Sequence, residues 1–312
     1  MNPLRLSLPI AALSLAVVAP AQTLLKDSPV HGVLESYFYG TRLDHGAVHK
    51  LTWGEFYWRP TNDLKVMYSF GIVPRGHVTD EAYVSYEKQD FMVRAGRMRT
   101  SFGFNDWANL FYNGFNSIPL VRLAPLGDGI GLSRQDSGVE FTKDIGNVQV
   151  EAAAFETGLE RDQITPNDIS TGTLRVQVPY GPFIVGLDAL HRLRHDGGIY
   201  GFDVRYTAPH LIGRLEYFAG EGAGSGHGGY ADVQYRLPNL PRTQLVARSE
   251  FLKPGGGGDT LVRHTLGVRQ ILNEYFQINL NYGWGENLLN APAFPAGGTD
   301  NWSLRAMFQL HF

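Results

Sequence analysis

The sequence predicts an all-β chain: a transmembrane antiparallel β-barrel of about sixteen strands, with a long third outer loop. Three observations carry this reading. Segments of about ten residues alternate apolar and polar side chains from near residue 31 to the last residue. The connections between them are short and long in strict turn. The amino-terminus reads as an export signal.

That signal comes first in the chain. Arg5 supplies a basic start, an apolar run follows from Leu6 to Val18, and Ala19-Pro20-Ala21 fits the A-x-A cleavage pattern. The run is too short to cross a bilayer comfortably. The expected organisation is a secretory signal peptide over 1–21 and one outer-membrane barrel domain over 22–312. No Pro/Ser linker, composition shift or long charge run marks a second boundary.

The alternating segments place strands at 31–40, 48–59, 63–73, 80–88, 90–98, 137–144, 147–156 and 171–179 in the first half. The second half gives 182–191, 198–207, 210–218, 229–237, 242–252, 260–271, 274–284 and 301–312. After each even-numbered strand the gap is short, as at Pro60-Thr61-Asn62, Gln89, Ile145-Gly146, Tyr180-Gly181, Ala208-Pro209 and Leu272-Asn273. After each odd-numbered strand it is longer, up to 99–136. Nothing in a soluble sandwich sorts loops by parity. A membrane barrel does, with short turns on one side and long outer loops on the other.

Face alternation agrees. Tyr200, Phe202, Val204 and Tyr206 share a parity opposed by Asp203 and Arg205. Phe276, Ile278, Leu280, Tyr282 and Trp284 oppose Gln277, Asn279 and Asn281. Alternation alone does not say which face points inward. Aromatics near strand ends (Phe56, Trp58, Tyr83, Tyr86, Tyr206, Tyr217, Tyr235, Tyr275, Trp284, Trp302) suit interface girdles. A sheet in hydrocarbon must close, and sixteen strands enclose an aqueous space. The closing strand, "NWSLRAMFQLHF", would set Leu304 to Leu310 against lipid, with Arg305, Gln309 and His311 facing the channel.

A net charge of −3 implies no nucleic-acid partner, and the absence of cysteine excludes a disulfide framework. No H-E-x-x-H, G-x-S-x-G, phosphate-loop or calcium-loop pattern occurs, and His191, His195 and His210 share no motif with a serine or carboxylate. "GEGAGSGHGG" lies between strands and opens no helix, so it reads as an outer loop. No catalytic residue, cofactor or metal is expected.

"VRAGRMRTSFGF", Val93 to Phe104, resembles the strand and G-R-x-x-x-x-F-G segment that precedes the constriction loop in Gram-negative porins. It most resembles the phosphate-selective porin O and P family and related general porins. "HGVLESYFYG" and "GVEFTKDIGNVQVEAAAF" are similar to the corresponding strands, and Phe312 matches the carboxy-terminal aromatic signal read by the outer-membrane assembly machinery. The resemblance implies a sixteen-stranded, usually homotrimeric pore in the outer membrane. It would be surrounded by lipid and pass small hydrophilic solutes and ions, with the third outer loop folded into the channel.

That family's anion and phosphate preference rests on pore lysines and arginines. Here the long loop has no lysine, and its arginines, Arg99, Arg122 and Arg134, are matched by Asp106, Asp128 and Asp136. Parity adds Arg94, Arg175, Arg205, Arg214, Arg248, Arg263, Arg269 and Arg305 to the lumen, opposed by Glu35, Glu140, Glu151, Asp188, Asp203, Glu216 and Glu250. Mixed signs predict weak selectivity, since selectivity comes from rings of one sign. They also suit cross-strand pairs that stiffen the wall. The loop's Phe102, Phe104, Trp107, Phe111, Tyr112 and Phe115 argue for an ordered segment, either a constriction or an outer cap. Two other classes remain: an outer-membrane protease or lipase, and an adhesin or structural barrel.

Overall fold

A computed structural model describes residues 30–40, 48–73, 76–104, 113–123, 125–127, 130–132, 135–156, 169–192, 197–222, 225–287 and 302–311. The proposed signal peptide and Phe312 lie outside the described residues. The first strands are β1 (Val30–Gly40), β2 (Val48–Trp58), β3 (Leu64–Val73), β4 (Gly76–Glu87) and β5 (Phe91–Arg99). The long loop then carries one helical turn, α1 (Leu120–Leu123), and a small hairpin, β6 (Pro125–Gly127) with β7 (Ile130–Gly131). The barrel resumes with β8 (Gln135–Ile145), β9 (Val148–Glu156), β10 (Ile169–Tyr180), β11 (Phe183–Arg192), β12 (Gly198–Ala208) and β13 (Leu211–Gly220). It ends with β14 (His227–Arg236), β15 (Thr243–Lys253), β16 (Leu261–Ile271), β17 (Phe276–Glu286) and β18 (Trp302–His311).

Sixteen of these strands form one closed antiparallel barrel, each paired with its chain neighbour and β5 with β8. Closure is made by β1 on β18, from Val33 opposite His311 to Gly40 opposite Leu304. Every strand therefore has two partners and no edge is left open. Closure pairs the backbone along both sides of every barrel strand, the condition a sheet would have to meet in hydrocarbon, where an unpaired backbone group costs several kcal/mol. The strand count and order match the sequence reading.

Two differences from that reading have physical causes. The fourth strand begins at Gly76, not at residue 80. Opposite Ser69, β4 carries Asp80 and Glu81 together, a bulge that shifts parity and hides the outer end of the strand. Tyr83, expected in an interface girdle, is instead inside: it is buried, beneath the Arg94 guanidinium, while Tyr86 is outside. Residues 83 and 86 have opposite parity, so both cannot face lipid.

Burial settles which face is which. The large exposed side chains are apolar: Leu174, Leu187, Phe202, Val233, Leu266, Leu280, Tyr282 and Phe308 are representative. The buried side chains on the same strands are polar or charged, among them Arg175, Asp188, Asp203, Asp232, Arg263, Asn279 and Gln309. A soluble barrel hides its apolar face and shows its polar one. This barrel does the reverse.

Candidate functional site

The interior is organised around the segment that follows β5. Thr100 to Phe104 turns inward at Gly103, whose φ is +64 and whose place a Cβ could not share, since it would lie 2.7 Å from the Phe218 ring. The Gly103 N–H donates to Asp188 Oδ1 at 2.8 Å, and the Phe104 N–H donates to Glu216 Oε1. The Phe104 ring lies between two guanidiniums, Arg175 and Arg205, each 5.5 Å from its centroid.

Arg122, at the end of the loop's helical turn, locks this geometry. It donates to both Glu216 oxygens, at 2.7 and 2.9 Å from Nη2, and to the Phe102 carbonyl at 2.8 Å. Both side chains of the pair are 0% exposed. A planar fork with five donors suits a carboxylate and two carbonyls at once, which an ammonium could not match.

Two further anchors follow. The Leu120 N–H donates to Glu250 Oε2 at 2.6 Å, and Glu250 Oε1 accepts from Arg263 Nε at 2.7 Å. Arg263 also reaches the Ile118 carbonyl, and Arg248 the Ser117 carbonyl at 2.8 Å while its guanidinium lies 3.9 Å from the Phe115 centroid. Beyond these, the Asn116 N–H donates to Asn281 Oδ1 at 2.5 Å, and Asn281 Nδ2 donates to the Gly114 carbonyl at 3.1 Å. Arg305 Nη1 donates to the Asn116 carbonyl at 3.3 Å.

The described part of the loop thus lies chiefly against the inner wall from β10 to β18, with its start also tied to β5 by Arg94 Nη2, which donates to Ser101 Oγ at 3.2 Å. Its apolar residues Phe102, Leu120, Val121 and Leu126 join Leu190, Ile199, Phe218, Leu252 and Leu261 from that wall in one buried cluster. A barrel of this width would otherwise be water-filled on this side.

The residues singled out from sequence fall into three groups. Arg122, Arg214, Arg248, Arg263 and Arg269 are on this side and buried: Arg214 Nε meets Asp232 Oδ1 at 2.9 Å, and Arg269 Nε meets Gln277 Oε1 at 3.0 Å. Arg205 and Arg305 are partly exposed on the same side. Arg94 and Arg99 belong to the opposite wall: Arg94 Nε donates to Glu140 Oε1 at 2.8 Å, and Arg99 bridges Asp80 and Glu81. Asp136 is buried on β8. Asp106, Asp128, Arg134 and Phe312 lie outside the described residues.

Sequence reasoning missed several interior charges. Glu55 and Lys65 face inward on β2 and β3, in register with Ser69 and Ser85, which are buried. The signal was present, because Phe56 and Trp58 fix the outward parity of β2 and leave Glu55 inside. Asp232 follows likewise from Tyr235. Asp80 and Glu81 had no such signal, since the bulge puts consecutive acids on one face; the Ser69 hydroxyl accepts the Glu81 N–H at 3.0 Å.

At the short-turn end, exposed pairs tie neighbouring strands. Lys143 hydrogen-bonds Asp90 and holds its carboxyl below the usual carboxylate range; the bond to Asp63 raises the Lys88 ammonium above its ordinary value. Among the described residues no group of three or more His, Cys, Asp or Glu could hold a metal ion.

No protein-family profile matches the chain, and no curated protein matches it. Solved structures do. Salmonella typhi OmpF in complex with daunomycin matches at 10% identity and a TM-score of 0.67, covering 91% of this chain and 97% of that one. The trimer form of OmpT, an outer membrane protein of Vibrio cholerae, matches at 14% identity and a TM-score of 0.61, covering 91% and 98%. An anion-selective porin from Comamonas acidovorans matches at 12% identity and a TM-score of 0.60, covering 91% and 98%. At such identities the likeness is one of fold.

Proposed function

We propose that this chain is an outer-membrane diffusion channel that passes small hydrophilic solutes and ions without consuming energy. The observation that carries the reading is the inverted barrel. Its apolar exterior suits lipid, and its charged interior has no use in a packed protein core. The described part of the loop is bound inside the barrel, chiefly along β10 to β18, which supports loop 99–136 as the constriction. The arginines bound into ion pairs support weak selectivity, not a phosphate site. Export by residues 1–21, insertion guided by Phe312 and the assembly machinery, and a homotrimeric state complete the proposal, the last by analogy with the trimeric structure of the same fold.

Purified protein in planar lipid bilayers tests it. The expected record is discrete, ohmic conductance steps, enlarged by deletion of 105–130. Absence of steps together with hydrolysis of peptide or phospholipid would favour an enzyme; absence of both would favour a structural or adhesive barrel. Unchanged conductance after the deletion would overturn the constriction role alone.

A further inference from the structure

We propose that Glu55 and Glu151 set the ion preference of the channel and turn it toward cations, with Lys65 opposing them. This rests on the diffusion-channel reading and adds which side chains discriminate.

The interior charges divide by commitment. Across β11 to β18 the carboxylates that hold the loop each accept both a loop N–H and a guanidinium, or lie fully between guanidiniums. On the opposite wall Glu140 is bound by Arg94, and Asp80 and Glu81 by Arg99. To an ion passing a few ångströms away, a closed pair presents a dipole, whose field falls off faster than that of a single charge. Such pairs stiffen the wall and discriminate weakly.

Glu55 and Glu151 are different. Glu55 stands on β2 between Val33 and Ser69, neither of which carries charge. Glu151 stands on β9 between Thr142 and Arg175, but Arg175 is spent on Asp188, at 2.8 Å, and on Asp203, at 2.5 Å. Neither Glu55 nor Glu151 makes a hydrogen bond or ion pair among the described residues, and both are partly exposed. Both stand on strands, β2 and β9, away from the wall strands that bind the described part of the loop.

Lys65 stands on β3, next to β2. Its ammonium lies 5.2 Å from the Tyr57 ring centroid and has no carboxylate within ion-pair distance among the described residues. On β2, β3 and β9 two such carboxylates face one such ammonium, a negative local balance whatever the near-neutral total of the chain, while Glu35 on β1 is bound by Gln309. Counting arginines in the sequence points the other way, because it includes Arg94, Arg99, Arg122, Arg175, Arg214, Arg248 and Arg263, each already closed on a carboxylate.

The test is the reversal potential across a KCl gradient. Each of Glu55→Gln and Glu151→Gln should lower the potassium-to-chloride permeability ratio about two- to threefold, the scale of one unit charge at lumen distances in water. Lys65→Gln should raise it by a similar factor. Opposite signs at similar conductance separate a field effect from a damaged fold. Ohmic conductance with a ratio unmoved by all three would overturn this assignment and leave the channel reading intact; absence of conductance in the parent protein would overturn both.

Discussion

Replacing Arg122 by alanine should release the loop. The side chain binds both oxygens of Glu216 and the carbonyls of Phe102 and Phe104, in a site where neither charged partner has any exposure. Arg122→Ala would leave the Glu216 carboxylate buried with the Phe104 N–H as its remaining loop donor. Removing one partner of a buried pair costs ~3–5 kcal/mol. At about 1.4 kcal/mol per decade, the docked loop would lose roughly two to three and a half orders of magnitude against the released one. Two assays follow it: protease sensitivity within 105–130, and single-channel conductance. Both should rise, with added current noise as the loop exchanges. The double variant Arg122→Met, Glu216→Gln should recover most of the docking, because an apolar chain of similar length replaces the cation and the amide oxygen still accepts the Phe104 N–H. A single variant as resistant and as conducting as the parent would falsify the view that this pair holds the loop.

Three further outcomes are expected. Leu266 is 53% exposed on the outer face near the middle of β16, so Leu266→Arg should destabilise the folded barrel in lipid by ~2–4 kcal/mol, read as a lower urea midpoint; an unchanged midpoint would argue against lipid at that face. Gly96 has φ +133, and a Cβ there would lie 2.8 Å from the Tyr83 Cα, so Gly96→Ala should cost at least ~1–3 kcal/mol by the same measurement; full retention of stability would contradict the tight β4–β5 approach. Deleting Phe312 should sharply reduce the amount of barrel reaching the outer membrane while sparing the conductance of any that inserts, and normal surface levels would count against its role as an assembly signal.

The strand framework was legible because its signal is local. A side-chain period of two needs no tertiary information, and loop lengths sorted by parity are visible along a single chain. Thus β10 to β17 lie within a few residues of their expected positions, and the inward parity of Asp203, Arg205, Asn279 and Arg263 was correct. Where local parity breaks, so does the reading. The Asp80–Glu81 bulge hid the start of β4, and Tyr83 went to the wrong face.

The interior was only half legible. Alternation could name Arg122 and Glu216 as charged residues, but 94 positions separate them, and nothing local says that one closes on the other. The helical turn at Leu120 to Leu123 has no amphipathic run to announce it; it is held because Glu250 accepts its first N–H while Arg248 and Arg263 bind the carbonyls of Ser117 and Ile118 just before it. The same holds for charge. Parity along the chain marks most of the acids and bases that face inward, but not Asp80 and Glu81, where the bulge breaks it. Which of them close on one another emerges only in the folded barrel, because pairing depends on distances between strands far apart in the chain.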